Sequence, residues 1–146
     1  SYINKFSGLA EYLDKMKEEA KKKGYTETYF KRRRYFPNLK SKLPFLRAQA
    51  ERMAINAPVQ GTSADIIKLA MIEVDKYLKK NNLKAHLLLQ VHDELVYEIE
   101  ESKVKKIAKE IEKIMEEVIP SKEIQGIKLE VDINQGKNWG EMAKID

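Results

Sequence analysis

Two apolar runs separated by three polar residues constrain this chain more than any other feature. Leu87, Leu88, Leu89 and Val91 form one run; Leu95, Val96, Tyr97 and Ile99 form the other; His92, Asp93 and Glu94 stand between them. Short apolar runs bounded by polar residues read as buried strands, and so short a break leaves room only for a tight reversal. Residues 84–91 and 95–99 are therefore predicted to be neighbouring buried strands with two carboxylates at the bend. A carboxylate placed there is held by the strands and projected by the turn. That suits a hard oxygen ligand for Mg²⁺, which takes one or two protein carboxylates beside substrate phosphates. Turns also favour aspartate for purely local reasons, so the tripeptide by itself leaves Asp93 open as an ordinary turn residue and His92 as a satisfied turn histidine.

Helical periodicity accounts for most of the rest. Ile3, Phe6, Ala10, Leu13, Met16 and Ala20 recur at helical spacing over residues 3–23, and Gly24 follows the lysines that end the helix. Residues 25–36, rich in Tyr, Thr and Phe, read as a hairpin or extended arm whose tip is Lys31–Arg33. Pro44 suits the first turn of a second helix that Pro58 disturbs, giving a helix over 44–57. A third helix is expected from Thr62, with Thr62 and Asp65 as a capping pair, to Lys80. Val104, Ile107, Ala108, Ile111, Ile114, Met115 and Val118 make the clearest apolar stripe, a helix over 101–119. Ile127–Ile133 alternates as a last strand, and the tail with Trp139 is expected over the sheet edge. The order of elements indicates α+β with an antiparallel sheet backed by helices.

Charge and composition narrow the classes of function. No stretch approaches the ~20 apolar residues of a membrane-spanning helix, no n-region and h-region pair opens the sequence, so no secretory signal is expected, and the absence of cysteine removes disulfides and Cys-ligated zinc. A reducing cytoplasm and no need of a membrane fit these features. The net charge of +5 is concentrated early, in Lys21–Lys23 and in Lys31, Arg32, Arg33 and Arg34. Such a block suits a polyanion, although a solvated surface looks the same in sequence. Arg52 and Asn56 are four apart and share a helix face; Gln60 extends that face if the helix continues past Pro58. Three long polar side chains in a row can donate to the minor-groove acceptors present at every base pair, or simply form a solvent-facing stripe. No group of carboxylates suits a nuclease site.

Longer strings are more specific. Leu88-Leu89-Gln90-Val91-His92-Asp93-Glu94-Leu95-Val96 closely resembles motif C of family A DNA polymerases, the bacterial polymerase I type. Residues 50–65, from Ala50-Glu51-Arg52-Met53 through Asn56-Ala57-Pro58-Val59-Gln60-Gly61 to Asp65, resemble the same family's helix-to-helix segment. The Arg33-Arg34-Tyr35 region and the Gly136-Lys137-Asn138-Trp139 tail resemble it too, in the expected order.

That resemblance implies a palm-type sheet, with residues 1–43 as the end of the fingers region and 44–146 as the palm. It makes Asp93 a ligand of catalytic Mg²⁺ (Mn²⁺ as the substitute ion), with Glu94 beside it in a supporting catalytic role. It puts His92 near the primer terminus, and Arg52, Asn56, Gln60, Arg33 and Arg34 on primer-template DNA. Family members often carry Gly at the position of Lys31, where a positive φ is easier. Tyr25, Tyr29, Tyr35 and Phe36 are expected to pack rather than stack on bases. The family's second metal-binding aspartate and its nucleotide-binding helix belong to earlier motifs. The chain begins with Ser and is expected to be a split, processed or excised product, inactive alone. A partner chain carrying those motifs would supply the grip on deoxynucleoside triphosphates. Two other classes stay open: a DNA-binding module without chemistry, and a structural fragment.

Overall fold

The computed structural model describes residues 7–145. The chain divides into two compact units, Ser1–Asp65 and Ile66–Asp146. Its elements run α1 (Ser7–Lys23), β1 (Tyr25–Glu27), β2 (Arg33–Tyr35), a 3₁₀ turn (Pro37–Lys40), α2 (Pro44–Lys80), β3 (Ala85–Val91), β4 (Glu94–Ile99), α3 (Val104–Glu116), β5 (Asn134–Gln135) and β6 (Ala143–Lys144). The α+β class holds. Among the described residues the strands form three separate antiparallel pairs, β1–β2, β3–β4 and β5–β6.

In the first unit α1 ends where the sequence says it must. Gly24 has φ +78° and its amide donates to the Ala20 carbonyl at 2.8 Å, closing the last turn. Ile3 and Phe6, the first two members of the predicted stripe, lie outside the described residues. The core is built from Ala20, Phe36, Leu39, Ala50, Ala54 and Ala57. Small residues on α2 let the aromatic ring and Leu39 approach the helix backbone closely. Lys17 and Lys21 of α1 both reach Glu51 of α2, at 2.9 and 3.3 Å.

The two helices predicted over 44–57 and from Thr62 are one. α2 runs unbroken through Pro58. A proline inside a helix removes one hydrogen bond and costs about 3 kcal/mol. Here the buried Ala50, Ala54 and Ala57 lie on the helix immediately before it, so burial opposes a break. Thr62 does not cap a new helix: its hydroxyl donates to the Pro58 carbonyl at 2.6 Å.

In the second unit Val74 and Leu78 of α2, Ala85 of β3, and Ile107 and Ile111 of α3 form the core, with Tyr97 and Ile99 of β4 packed against it. α3 is the predicted stripe, entered through a 3₁₀ turn at Glu101–Lys103. β3 and β4 match the predicted strands to within one residue, but the prediction that both are buried fails for β3. Leu87, Leu88 and Leu89 are 38, 54 and 45 % exposed. Among the described residues only β4 pairs with β3. A bulge between Leu87 and Leu89 inserts Leu88 as an extra residue and shifts the register that follows.

The strand predicted at Ile127–Ile133 does not form. Leu129, Val131 and Ile133 are half-buried in alternation, but among the described residues the segment pairs with no strand, and the ladder begins only at Asn134. The tail turns back to make β6 against β5, and Trp139 is 52 % exposed.

Candidate nucleic-acid interface and metal-binding turn

The first unit carries the polar comb. Because α2 continues past Pro58, Arg52, Asn56 and Gln60 occupy one uninterrupted helix, and all three are exposed. Successive positions four apart rotate by about 40°, so the three side chains span about 80° of the helix surface and roughly 12 Å of its length. Met53 and Val59 lie beside them, 41 and 63 % exposed.

The basic hairpin sorts its arginines into different duties. Its loop is Thr28–Arg32, closed by the Thr28 amide donating to the Arg32 carbonyl at 2.9 Å. Arg33, expected at the tip, is instead the first residue of β2 and pairs across the ladder with Glu27. Arg33 Nε donates to Glu27 Oε1 at 2.9 Å, and its guanidinium lies 4.6 Å from the Tyr25 ring centre. That hydrogen bond to Glu27 raises the Arg33 pKa further. Arg32 Nε donates to Asp65 Oδ1 at 2.8 Å and its Nη2 to the Gly61 carbonyl at 3.1 Å. Arg34 has no ion pair among the described residues; its guanidinium sits 5.4 Å from the Phe36 ring centre.

Of the aromatic residues, Phe36 is buried as expected. Tyr35 is 65 % and Tyr29 44 % exposed, and their rings lean on Tyr25 and Phe30 respectively, at 5.3 and 5.1 Å.

Between hairpin and helix lies a cavity of about 200 Å³ lined by Thr26, Glu27, Arg32, Arg34, Gln60 and Gly61, among others. It brings together Arg34 and Gln60, two of the DNA-contact candidates. Lys31, in the loop, has φ +66°, the left-handed backbone that Gly would accept without strain.

The second unit carries the acidic turn. Val91 pairs with Glu94, so His92 and Asp93 alone make the reversal. His92 has φ +52°. A two-residue hairpin loop needs positive φ, a position usually given to Gly. Gln90 Nε2 donates to the His92 carbonyl at 2.8 Å and braces the turn. Asp93 and Glu94 are exposed, and neither is in an ion pair among the described residues. β4 anchors the turn: Tyr97 sits against the core, and burial, then the nearby Asp75 charge, push its phenol up to about 12.

Among the described residues no group of three or more His, Asp or Glu could hold a metal. Two adjacent exposed carboxylates fit the protein's share of a Mg²⁺ site in which other oxygens complete the shell. Spacing alone did not reveal the Arg32–Asp65 contact or the Gln90 brace. The only available signal was the polar Gln90 inside an apolar run.

The sequence model of DNA polymerase family A matches residues 1–141, and the chain belongs to that family. It is similar to DNA polymerase I of Streptococcus pneumoniae, 43 % identical over 97 % of this chain and 16 % of that protein. DNA polymerase I of Mycobacterium leprae is 44 % identical over 97 % of this chain and 15 % of its own length. The thermostable DNA polymerase I of Thermus filiformis is 43 % identical over 99 % and 17 %. Among solved structures, the POL domain of Pol1 from M. smegmatis, in complex with DNA primer-template and dNTP, superimposes with a TM-score of 0.78 at 44 % identity. It covers 82 % of this chain, which spans 21 % of it. The chain thus spans about a sixth of the length of the curated relatives it matches.

Proposed function

We propose that this chain is the portion of a template-directed DNA polymerase that grips the primer-template minor groove and supplies one metal-binding aspartate. The observation that carries the reading is the continuity of α2 through Pro58, which keeps Arg52, Asn56 and Gln60 exposed on one helix. The similar M. smegmatis domain, bound to primer-template and dNTP, supports DNA as the partner.

In the reaction the primer 3′ oxygen bonds to the α-phosphorus of an incoming deoxynucleoside triphosphate, and the bond to the bridging oxygen breaks, releasing pyrophosphate. Asp93, with Glu94 beside it, would hold divalent metal, which when bound lowers the hydroxyl's pKa and neutralises charge on the phosphate. Arg52, Asn56 and Gln60 donate to purine N3 and pyrimidine O2, acceptors common to every correct pair. His92, at the bend next to Asp93, orients the last sugar-phosphate. Arg34 neutralises a nearby strand phosphate. Arg33, already paired with Glu27, contributes less than its neighbour.

The test is a chimera: S. pneumoniae DNA polymerase I in which this chain replaces the 141 matched residues. Templated primer extension that needs Mg²⁺ or Mn²⁺ is expected. A folded chimera that binds primer-template with salt-dependent affinity but never extends it leaves the DNA-binding module as the correct reading.

A further inference from the structure

Among the contacts that join the basic hairpin to α2, one set is out of proportion to the size of the loop. Arg32 bonds Asp65 and the Gly61 carbonyl, as above, and its own amide donates to Thr28 Oγ1 at 3.2 Å. The Tyr29 amide donates to Thr62 Oγ1 at 2.9 Å. A methyl added at Gly61 would lie 2.6 Å from Thr28 Cγ2, so loop and helix are in direct contact there. The Asp65 side chain is only 12 % exposed, against 51 % for Arg32. A carboxylate so covered is costly unless it is paired, and Arg32 is one of the groups that hold it.

We infer that Asp65 and Arg32 are positioning residues for DNA contact: they fix the hairpin on α2 so that Arg34 and Gln60 face one cavity. Both act through their neighbours. Arg34 lies two residues beyond Arg32, and Gln60 precedes Gly61, whose carbonyl Arg32 holds. The inference rests on the DNA-gripping reading above, and it makes a prediction opposite in sign to plain electrostatics. Asp65 is an anion on a surface meant for a polyanion. If it did nothing else, neutralising it would tighten DNA binding. As a positioning residue, its loss weakens binding.

The experiment uses the full chain, a labelled primer-template duplex and fluorescence anisotropy over a range of salt. Asp65→Asn is expected to bind at least about threefold more weakly, with its circular dichroism unchanged; a lost charge-assisted bond is ample for that. Arg34→Ala is expected to weaken binding and flatten the salt slope by about one. In the Asp65→Asn background Arg34→Ala should then cost less, because the two changes remove the same thing. Tighter binding by Asp65→Asn, or strictly additive effects, overturns the inference. Amide hydrogen exchange is read in parallel without DNA: Tyr29 and Arg32 are expected to exchange faster in Asp65→Asn. Unchanged exchange also overturns it. A wild-type chain that does not bind DNA defeats the proposed function, while the exchange measurement still decides whether Asp65 holds the hairpin.

Discussion

Gln90 Nε2 donates to the main-chain carbonyl of His92 at 2.8 Å, so the strand entering the reversal also holds its first residue in the left-handed region, at φ +52°. A non-glycine residue in this conformation costs on the order of 1–2 kcal/mol. The strain persists at the residue beside Asp93, where the imidazole has a role in the proposed chemistry. His92→Gly should therefore stabilise the chain slightly in urea denaturation and at the same time lower extension by the chimera. Gln90→Ala should leave the melting temperature nearly unchanged and reduce kcat tenfold to a hundredfold, on the order of what a small misplacement of a reacting group costs.

Lys31 carries a similar strain without a comparable reward. Its φ is +66°, and its amide still closes the loop by donating to the Thr28 carbonyl at 2.9 Å. Lys31→Gly should raise unfolding free energy by about 0.5–1 kcal/mol, relief of the strain being partly offset by a looser unfolded chain. The shift in denaturation midpoint, at constant slope, measures it.

Gly61 is required by contact, not by backbone angle. A Cβ there meets Thr28 Cγ2 at 2.6 Å, and Thr28 cannot turn away freely because its hydroxyl accepts from the Arg32 amide. Gly61→Ala should destabilise by about 1–3 kcal/mol, the usual cost of overpacking. Adding Thr28→Ser, which deletes the offending methyl and keeps the hydroxyl, should recover most of the loss. A full double-mutant cycle reads the coupling.

The Glu51 pair with Lys17 and Lys21 sets a pH window. Hydrogen bonding by Lys17, then by Lys21, holds the Glu51 carboxyl below its ordinary 4.5, against the opposing effect of burial. A depressed carboxylate contributes stability above its unfolded pKa and loses it as pH falls through the folded value. Lys17, bonded to Glu51, is raised above 10.5, so its share is present below that and is lost at higher pH. Glu51→Gln should destabilise the chain at pH 7 and by less at pH 3. Urea denaturation at the two pH values gives the comparison.

Local chemistry was legible in the sequence; anything that depends on what lies against a residue was not. The ends of β3 and β4, the stripe of α3, the start of α2 at Pro44 and the stop at Gly24 follow from periodicity and from Pro and Gly. The continuity of α2 was hidden because Pro58 is a local signal against it, whereas Phe36 and Leu39, which pack on its alanines, lie in other elements. The leucines of β3 read as buried, but their exposure depends on neighbours that the strand's own residues do not specify. Asp93 at the bend was readable from residue order. The division of duties among Arg32, Arg33 and Arg34 was not, since it depends on Glu27 across the ladder and on Asp65, 33 positions away.

Single-turnover primer extension by the chimera carrying Asp93→Asn tests the central claim most directly. The substitution keeps the size of the side chain and removes the charge that would hold metal. A loss of at least about a thousandfold in the rate of nucleotide addition, with primer-template affinity within a few fold of the parent, is the predicted result. Extension at the parental rate would contradict it and leave the turn without a catalytic role.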